Sequence, residues 1–326
     1  MVRRYIAQLG HQEAVDEVFI ASGKQLRPNR NGNLYLQVEL ADRSGTLSAR
    51  MWNANEDVYR SFDNGEFVRV EGTAQMFQGA MQMIATRIGK ADPGEVDPAD
   101  FERQAPAEQA QLMARMSELL RSIHDTELRE LAETFLADKQ LMQRFSRAAA
   151  AVKHHHAYPG GLLEHVVNLM EVVERIIDRY PQVDRDLLLM GVFLHDIGKV
   201  EELTDELAPS YTDDGQLLGH LVIALRMLAE KVRLTEQRLG CPLPRETVLR
   251  LEHMIVSHHG QLEFGSPKVP MTLEALALHY LDSLDAKLHA FATQIEEDPN
   301  VDSAWTVYQP TLGRKLFKGS GEHSAG

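Results

Sequence analysis

The sequence predicts a multidomain α and β protein, with a small β-barrel over residues 1–92 and an all-helical domain over 107–313. Three observations carry this. From about residue 15 to 90, apolar residues recur with a period of two, and from 107 the period becomes 3.6. Between them ADPGEVDPADFERQAP (91–106), with three prolines and five acidic residues, reads as a linker, placed at 93–106. A length of 326 residues suits two domains.

Five strands are expected in the first part: VFIASGKQL, LYLQVELAD, GTLSARMW, FVRVEGTAQMF and AMQMIATRI. The turns between them are marked by Pro28 to Asn33, Asp42 to Gly45, Asp63-Asn64-Gly65 and Gln78-Gly79. Five strands in about 75 residues, with a short helix around Asn55–Phe62 between the third and fourth, suit an OB-fold. Helices are expected near 107–123, 126–137, 138–151, 161–180, 184–197, 214–239, 244–259 and 271–296. Pro181 closes one of them, and Gly198 and Gly260 follow the ends of two others. The tail 314–326, basic and then small and polar, is expected to be disordered.

Composition narrows the class. The single Cys241 excludes an internal disulfide framework and fits a cytoplasmic protein. The N-terminus turns polar too early for a signal peptide, and the longest apolar run, LLLMGVFL (187–194), is too short to span a membrane. Net charge is −14, but residues 1–95 carry 11 Lys+Arg against 12 Asp+Glu, so the acidity lies in the helical part. That argues against nonspecific DNA coating and leaves a short RNA strand open.

The chemistry concentrates in the helices. His195-Asp196 ends an apolar run, where a buried charge is costly unless paired. His165, His220, His258-His259 and Asp282 or Asp285 lie in similarly apolar helices. Each alone has an ordinary explanation: a core histidine bonded to a carbonyl, a helix C-cap, a partner for Lys287 or His289. Taken together, these inward imidazoles and carboxylates are satisfied at once by a two-metal cluster. A donor set of His and Asp without cysteine favours Mn, Fe, Ni or Co over structural zinc.

The order His165, His195-Asp196, His220, His258-His259, Asp282 resembles the HD superfamily of metal-dependent phosphohydrolases. HHAYPGGLLEH (155–165), HDIGKVEEL (195–203), SHHGQLEFGSP (257–267) and ALHYLDSLDAK (277–287) are similar to YhaM-type 3′–5′ exoribonucleases, which place an OB-fold before the HD domain. The resemblance covers roughly residues 10–313. It implies one metal on His165, His195, Asp196 and Asp282, and a second on His220, His258 and His259, with Asp196 bridging. Asp282 matches the terminal ligand better than Asp285, which stays the rival. It implies two divalent ions, Mn²⁺ first, and hydrolysis of single-stranded RNA by activated water, with single-stranded DNA as a further substrate left open.

Other residues are candidates for lesser roles. Asp196 and Lys199 are the catalytic candidates, Lys199 as a phosphate contact or equally as a helix-end lysine. His155 and His156 precede the turn before His165 and could reach substrate phosphate, while Lys268 lies in the loop 260–270 at the lip of the site. In the barrel, Lys24, Arg27, Arg30, Tyr35, Trp52, Phe77 and Arg87 are the candidates for holding a strand, with Tyr35 and Trp52 equally readable as core. Two other functions stay open: hydrolysis of small nucleotides or cyclic dinucleotides, and a catalytically silent nucleic-acid-binding protein. The first is weakened because residues 265–267 read Gly-Ser-Pro, not the Gly-Tyr-Pro of HD domains that hydrolyse cyclic di-GMP. A homo-oligomer is also left open.

Overall fold

The computed structural model describes residues 3–29, 31–77, 80–101, 106–151, 158–204, 209–296, 298, 300, 303–309 and 312–319. The chain forms two compact units, Met1–Arg103 with Ala290–Gly326, and Gln104–His289.

In the first unit β1 (Glu13–Pro28), β2 (Leu34–Asp42), β3 (Gly45–Trp52), β4 (Phe67–Phe77) and β5 (Ala80–Lys90) close into a barrel in the order β1-β2-β3-β5-β4. Only β3 and β5 run parallel. The long β1 serves both neighbours: Glu13–Ile20 pairs with β4, and Ile20–Pro28 with β2 across a bulge between Ser22 and Gln25. Alternation sorts the faces, so Leu36, Val38 and Leu40 are buried while Tyr35, Gln37 and Glu39 point outward. The predicted short helix is α1 (Glu56–Arg60), capped by the Asn55 side chain on Val58 N.

Two segments differ from their sequence reading. The first half of the expected linker is anchored to the barrel, because its acids and its aromatic find partners there. Asp100 accepts from Tyr5 and pairs with Arg3, Glu95 pairs with Arg69, and buried Phe101 packs edge-on against Phe67. Within the tail expected to be disordered from 314, Leu316 is buried, and Trp305 bridges Phe317 as Gln309 bridges Arg314. The Asp298 carboxylate holds this stretch, taking Lys318 at 3.1 Å and the Val307 amide at 2.9 Å.

The second unit contains α2 (Pro106–Arg121), α3 (Thr126–Leu136), α4 (Lys139–Arg147), α5 (Gly161–Ile176), α6 (Arg185–Leu194), α7 (Lys199–Glu202), α8 (Asp213–Leu239), α9 (Arg245–Ser257) and most of α10 (Leu273–Glu296). Aspartates open several of them: Asp125, Asp138 and Asp184 accept from amides of the first turn. α6 is buried along Asp186–Leu194, packed among α2, α3, α5 and α9. An all-apolar helix belongs in the middle of a bundle. Its C-terminus therefore delivers His195 and Asp196 to the interior.

α7 was not expected, and α8 is not the continuous helix its periodicity suggested. Gly219 breaks it with φ +72° and ψ 159°, a left-handed backbone that costs a side-chain-bearing residue energy. The break turns His220 toward α7. Close approach there also requires Gly198, where a Cβ would fall 2.1 Å from the His220 carbonyl oxygen.

Candidate metal centre

Five helices converge on Asp196. α5 supplies His165, the end of α6 His195 and Asp196, α8 His220, the end of α9 His258 and His259, and α10 Asp282 and Asp285. The two carboxylate oxygens of Asp196 face different imidazoles. Oδ2 lies 3.4 Å from His195 Nε2, and Oδ1 lies 3.5 Å from His220 Nε2 and 3.6 Å from His258 Nε2. On the Oδ2 side, His165 Nε2 is 3.3 Å from His195 Nε2 and 3.3 Å from Asp282 Oδ1. Donor atoms of His165, His195 and Asp282 thus form one group, and those of His220, His258 and His259 another, each within 4.8 Å.

Four of the five imidazoles share one device. His195 Nδ1 donates to the Val192 carbonyl at 2.7 Å and His258 Nδ1 to that of Ile255 at 2.8 Å, each three residues back at a helix C-terminus. His165 Nδ1 donates to Asp285 at 2.7 Å, and His220 Nδ1 to Glu202 at 3.1 Å. Each acceptor holds the proton on Nδ1 and orients the ring so that Nε2 points into the cluster. Glu202 also accepts from the His220 amide at 3.0 Å, which fixes the chain just after the Gly219 break.

Asp196 Oδ1, His220 Nε2 and His259 Nδ1 are buried without a hydrogen-bond partner. Such orphans cost about 1–3 kcal/mol each and are rare in folded proteins. A divalent cation among them would satisfy these atoms together, and a donor set of imidazoles and carboxylates is one such an ion takes. The residues therefore fit a metal.

Electrostatics are arranged to match. Burial works against the Asp196 carboxylate, but Lys199 at 2.6 Å and His195 hold it well below the usual range. Burial opposes the Lys199 charge as well, and Asp196 raises its pKa in spite of that. Burial alone would deprotonate His165, yet Asp282 and Asp285 lift it to about 9. Asp282 is depressed, its own burial outweighed by His165 and His195. His258 is lowered by burial and His259 is pushed down to about 4, so neither is a cationic helix cap.

All seven expected donors are thus brought together, and the two rival aspartates separate. Asp282 faces Nε2 of His165, whereas Asp285 holds the opposite ring nitrogen. Glu202 is the residue that sequence reading missed. Its signal was the acidic pair in KVEEL, which does not say whether Glu201 or Glu202 points inward. Lys268 is exposed. His155 and His156, like Arg30 in the barrel, lie outside the described residues.

On the barrel the candidates divide. Arg27 pairs across the strands with Tyr35, and Tyr35 with Trp52, giving a row over β1, β2 and β3 with the two rings 5.2 Å apart. Trp52 is 46% exposed and Tyr35 half-buried, so neither is core. Phe77 is exposed at the end of β4, outside that row, and Arg87 is exposed and paired with Glu71. Lys24 requires a correction. Its ammonium is almost buried, donates to the carbonyls of Tyr59 and Phe62, and pairs with Asp63 at 3.1 Å, so it ties α1 to β1 and offers no free charge to a strand.

A metal-binding helical domain joined to an OB barrel is the class that fold and site define. A family model described as HD domain matches residues 162–287, and one described as OB-fold nucleic acid binding domain matches 20–91. The chain is similar to the 3'-5' exoribonuclease YhaM of Geobacillus sp. (strain WCH70), 34% identical over 82% of this chain and 80% of that protein. It is 35% identical to the YhaM proteins of Bacillus velezensis (85% of this chain, 86% of that one) and Bacillus subtilis strain 168 (87% and 88%). The chain belongs to the YhaM family of 3'-5' exoribonucleases. The resemblance read from its four motifs is borne out. Among the described residues no helix is long and apolar enough to cross a membrane.

Proposed function

We propose that this chain is a metal-dependent 3′–5′ exoribonuclease that hydrolyses single-stranded RNA, with single-stranded DNA a further candidate substrate, at a centre holding two divalent ions, Mn²⁺ first. The observation that carries this reading is the division of Asp196: one buried carboxylate presents separate oxygens to two imidazole groups, one of which contains orphaned nitrogens. His165, His195 and Asp282 would hold one ion, His220, His258 and His259 the other, with Asp196 between them. The ions, when bound, supply charge neutralisation at phosphoryl oxygens and lower the pKa of water toward neutrality.

The chain's own residues do the rest. Asp285 and Glu202 orient His165 and His220 by holding their Nδ1 protons. Lys199 pairs with Asp196 and offsets its charge, and its ammonium is the candidate contact for a substrate phosphate. The row of Arg27, Tyr35 and Trp52 suits stacked bases and one phosphate of a single strand. The near-neutral charge of residues 1–95 is compatible with that, whereas the acidic helical part needs bound cations before it accepts an anionic strand. The chain is read as cytoplasmic from its single cysteine.

A timed gel of 5′-labelled single-stranded RNA tests the reading. With Mn²⁺ the label should pass stepwise into shorter products from the 3′ end, and EDTA should stop it. An intact strand in Mn²⁺, with turnover of a cyclic dinucleotide or nucleotide instead, would replace the proposed substrate with a small one.

A further inference from the structure

One helix has more apolar surface than its position in the second unit uses. On α10 the inward side carries buried Ala275, Leu278 and Leu281, together with Asp282 and Asp285 of the metal centre. The opposite side repeats Leu273, Leu276, Tyr280, Leu284 and Leu288 at spacings of three and four, and these are 49, 45, 65, 51 and 62% exposed. Lys287 is the one charged residue on that side between 273 and 288. Met271 and Val269, also exposed, lead into its first turn. A helix that is apolar all round is a buried helix, and this one lacks a cover on its outer side among the described residues.

We infer that the outward face of α10 is a self-association surface, covered by the same face of a second copy of this chain. Size supports a protein partner. Large aliphatic and aromatic side chains offer on the order of 100–200 Å² each, so five of them about half exposed present roughly 300–500 Å². A standard interface takes about 800 Å² from each partner, a little over half of it apolar, so the stripe alone provides the apolar centre of one. A patch of this size matches the largest one on a typical monomer, about 300–600 Å², which is often functional.

Shape supports a copy of the same helix. Ridges at three- and four-residue spacing fit the grooves of another helix, and a twofold axis lets one stripe serve as both ridge and groove. An RNA strand is a poor occupant, since stacking surfaces on single-strand binders are flanked by cations and this face offers Lys287 alone. Pairing through this side would leave Asp282 and Asp285 facing their own metal centre, so each copy keeps a complete site.

The test is the mass of the full chain in solution, by light scattering or sedimentation equilibrium, for wild type and for Tyr280→Lys with Leu284→Lys. Wild type is expected at twice the mass of one chain, or an even multiple, and the double variant at half the wild-type mass with unchanged helical circular dichroism. If that variant does not fold, Leu276→Gln with Leu288→Gln is read in the same way, with at least a tenfold higher dissociation constant expected. Wild type at the mass of a single chain at tens of micromolar, or a folded variant that keeps the wild-type mass, overturns the inference.

Discussion

The two units place their chemically capable side chains in opposite settings. In the helical unit His165, His195, Asp196 and His258 are buried and held by fixed partners before any substrate arrives. In the barrel Arg27, Tyr35 and Trp52 stand in register on an outer face, Trp52 46% exposed. The difference suits the two proposed tasks. A metal centre gains from preorganised donors in a dry site, whereas a strand that must slide through gains from an accessible, tolerant surface.

Substitutions sharpen that contrast. Asp196→Asn should act most strongly, reducing RNA cleavage about 10³-fold or more, equivalent to about 4 kcal/mol of barrier, with loss of bound metal. Cleavage within tenfold of wild type would remove Asp196 from the centre. Tyr35→Ala with Trp52→Ala should weaken RNA binding by about 1–3 kcal/mol per lost stack, raising KM and sparing kcat. A fall in kcat at unchanged KM would mean that the barrel shapes the chemistry itself.

Smaller effects test the supports. Glu202→Ala should cost about 10–100-fold in metal affinity, read by chelator competition, while the fold stays intact. Lys24→Met should lower stability by about 1–3 kcal/mol through the orphaned carbonyls and leave RNA affinity unchanged. Weaker RNA binding with unchanged stability would restore Lys24 as a strand contact. Asp186 gives the mildest effect and a pH signature. Burial works against its charge, but it accepts from the His124 and Asp125 amides at 2.7 and 2.8 Å and pairs with Arg185, so its pKa is lowered. A depressed folded pKa gives stability that is present above the unfolded value of about 4 and lost as pH falls through the folded one. Asp186→Asn should therefore flatten the acid limb of the unfolding curve, and an unchanged limb would assign acid sensitivity elsewhere.

The metal centre was legible because burial makes polar residues conspicuous. An imidazole or carboxylate among leucines at helical spacing must have a partner, and seven such residues suggest a common one. The strands were legible from alternation, and the helices from period and caps. What escaped was one backbone angle and the pairings between residues distant in the chain. Gly219 reads as one tolerated glycine in a long helix, since periodicity does not encode φ. The buried role of Lys24 depends on carbonyls of Tyr59 and Phe62, more than thirty residues away. Asp298 pins the final segment through Lys318, a pairing no periodicity announces.

Metal content tests the central claim most directly. Purified protein loaded with Mn²⁺, freed of excess ion and analysed by mass spectrometry of the elements should retain two ions per chain, and Asp196→Asn should retain fewer than one. Full RNA cleavage in EDTA by protein that retains no metal would contradict the claim that these buried histidines and aspartates are held together to bind ions.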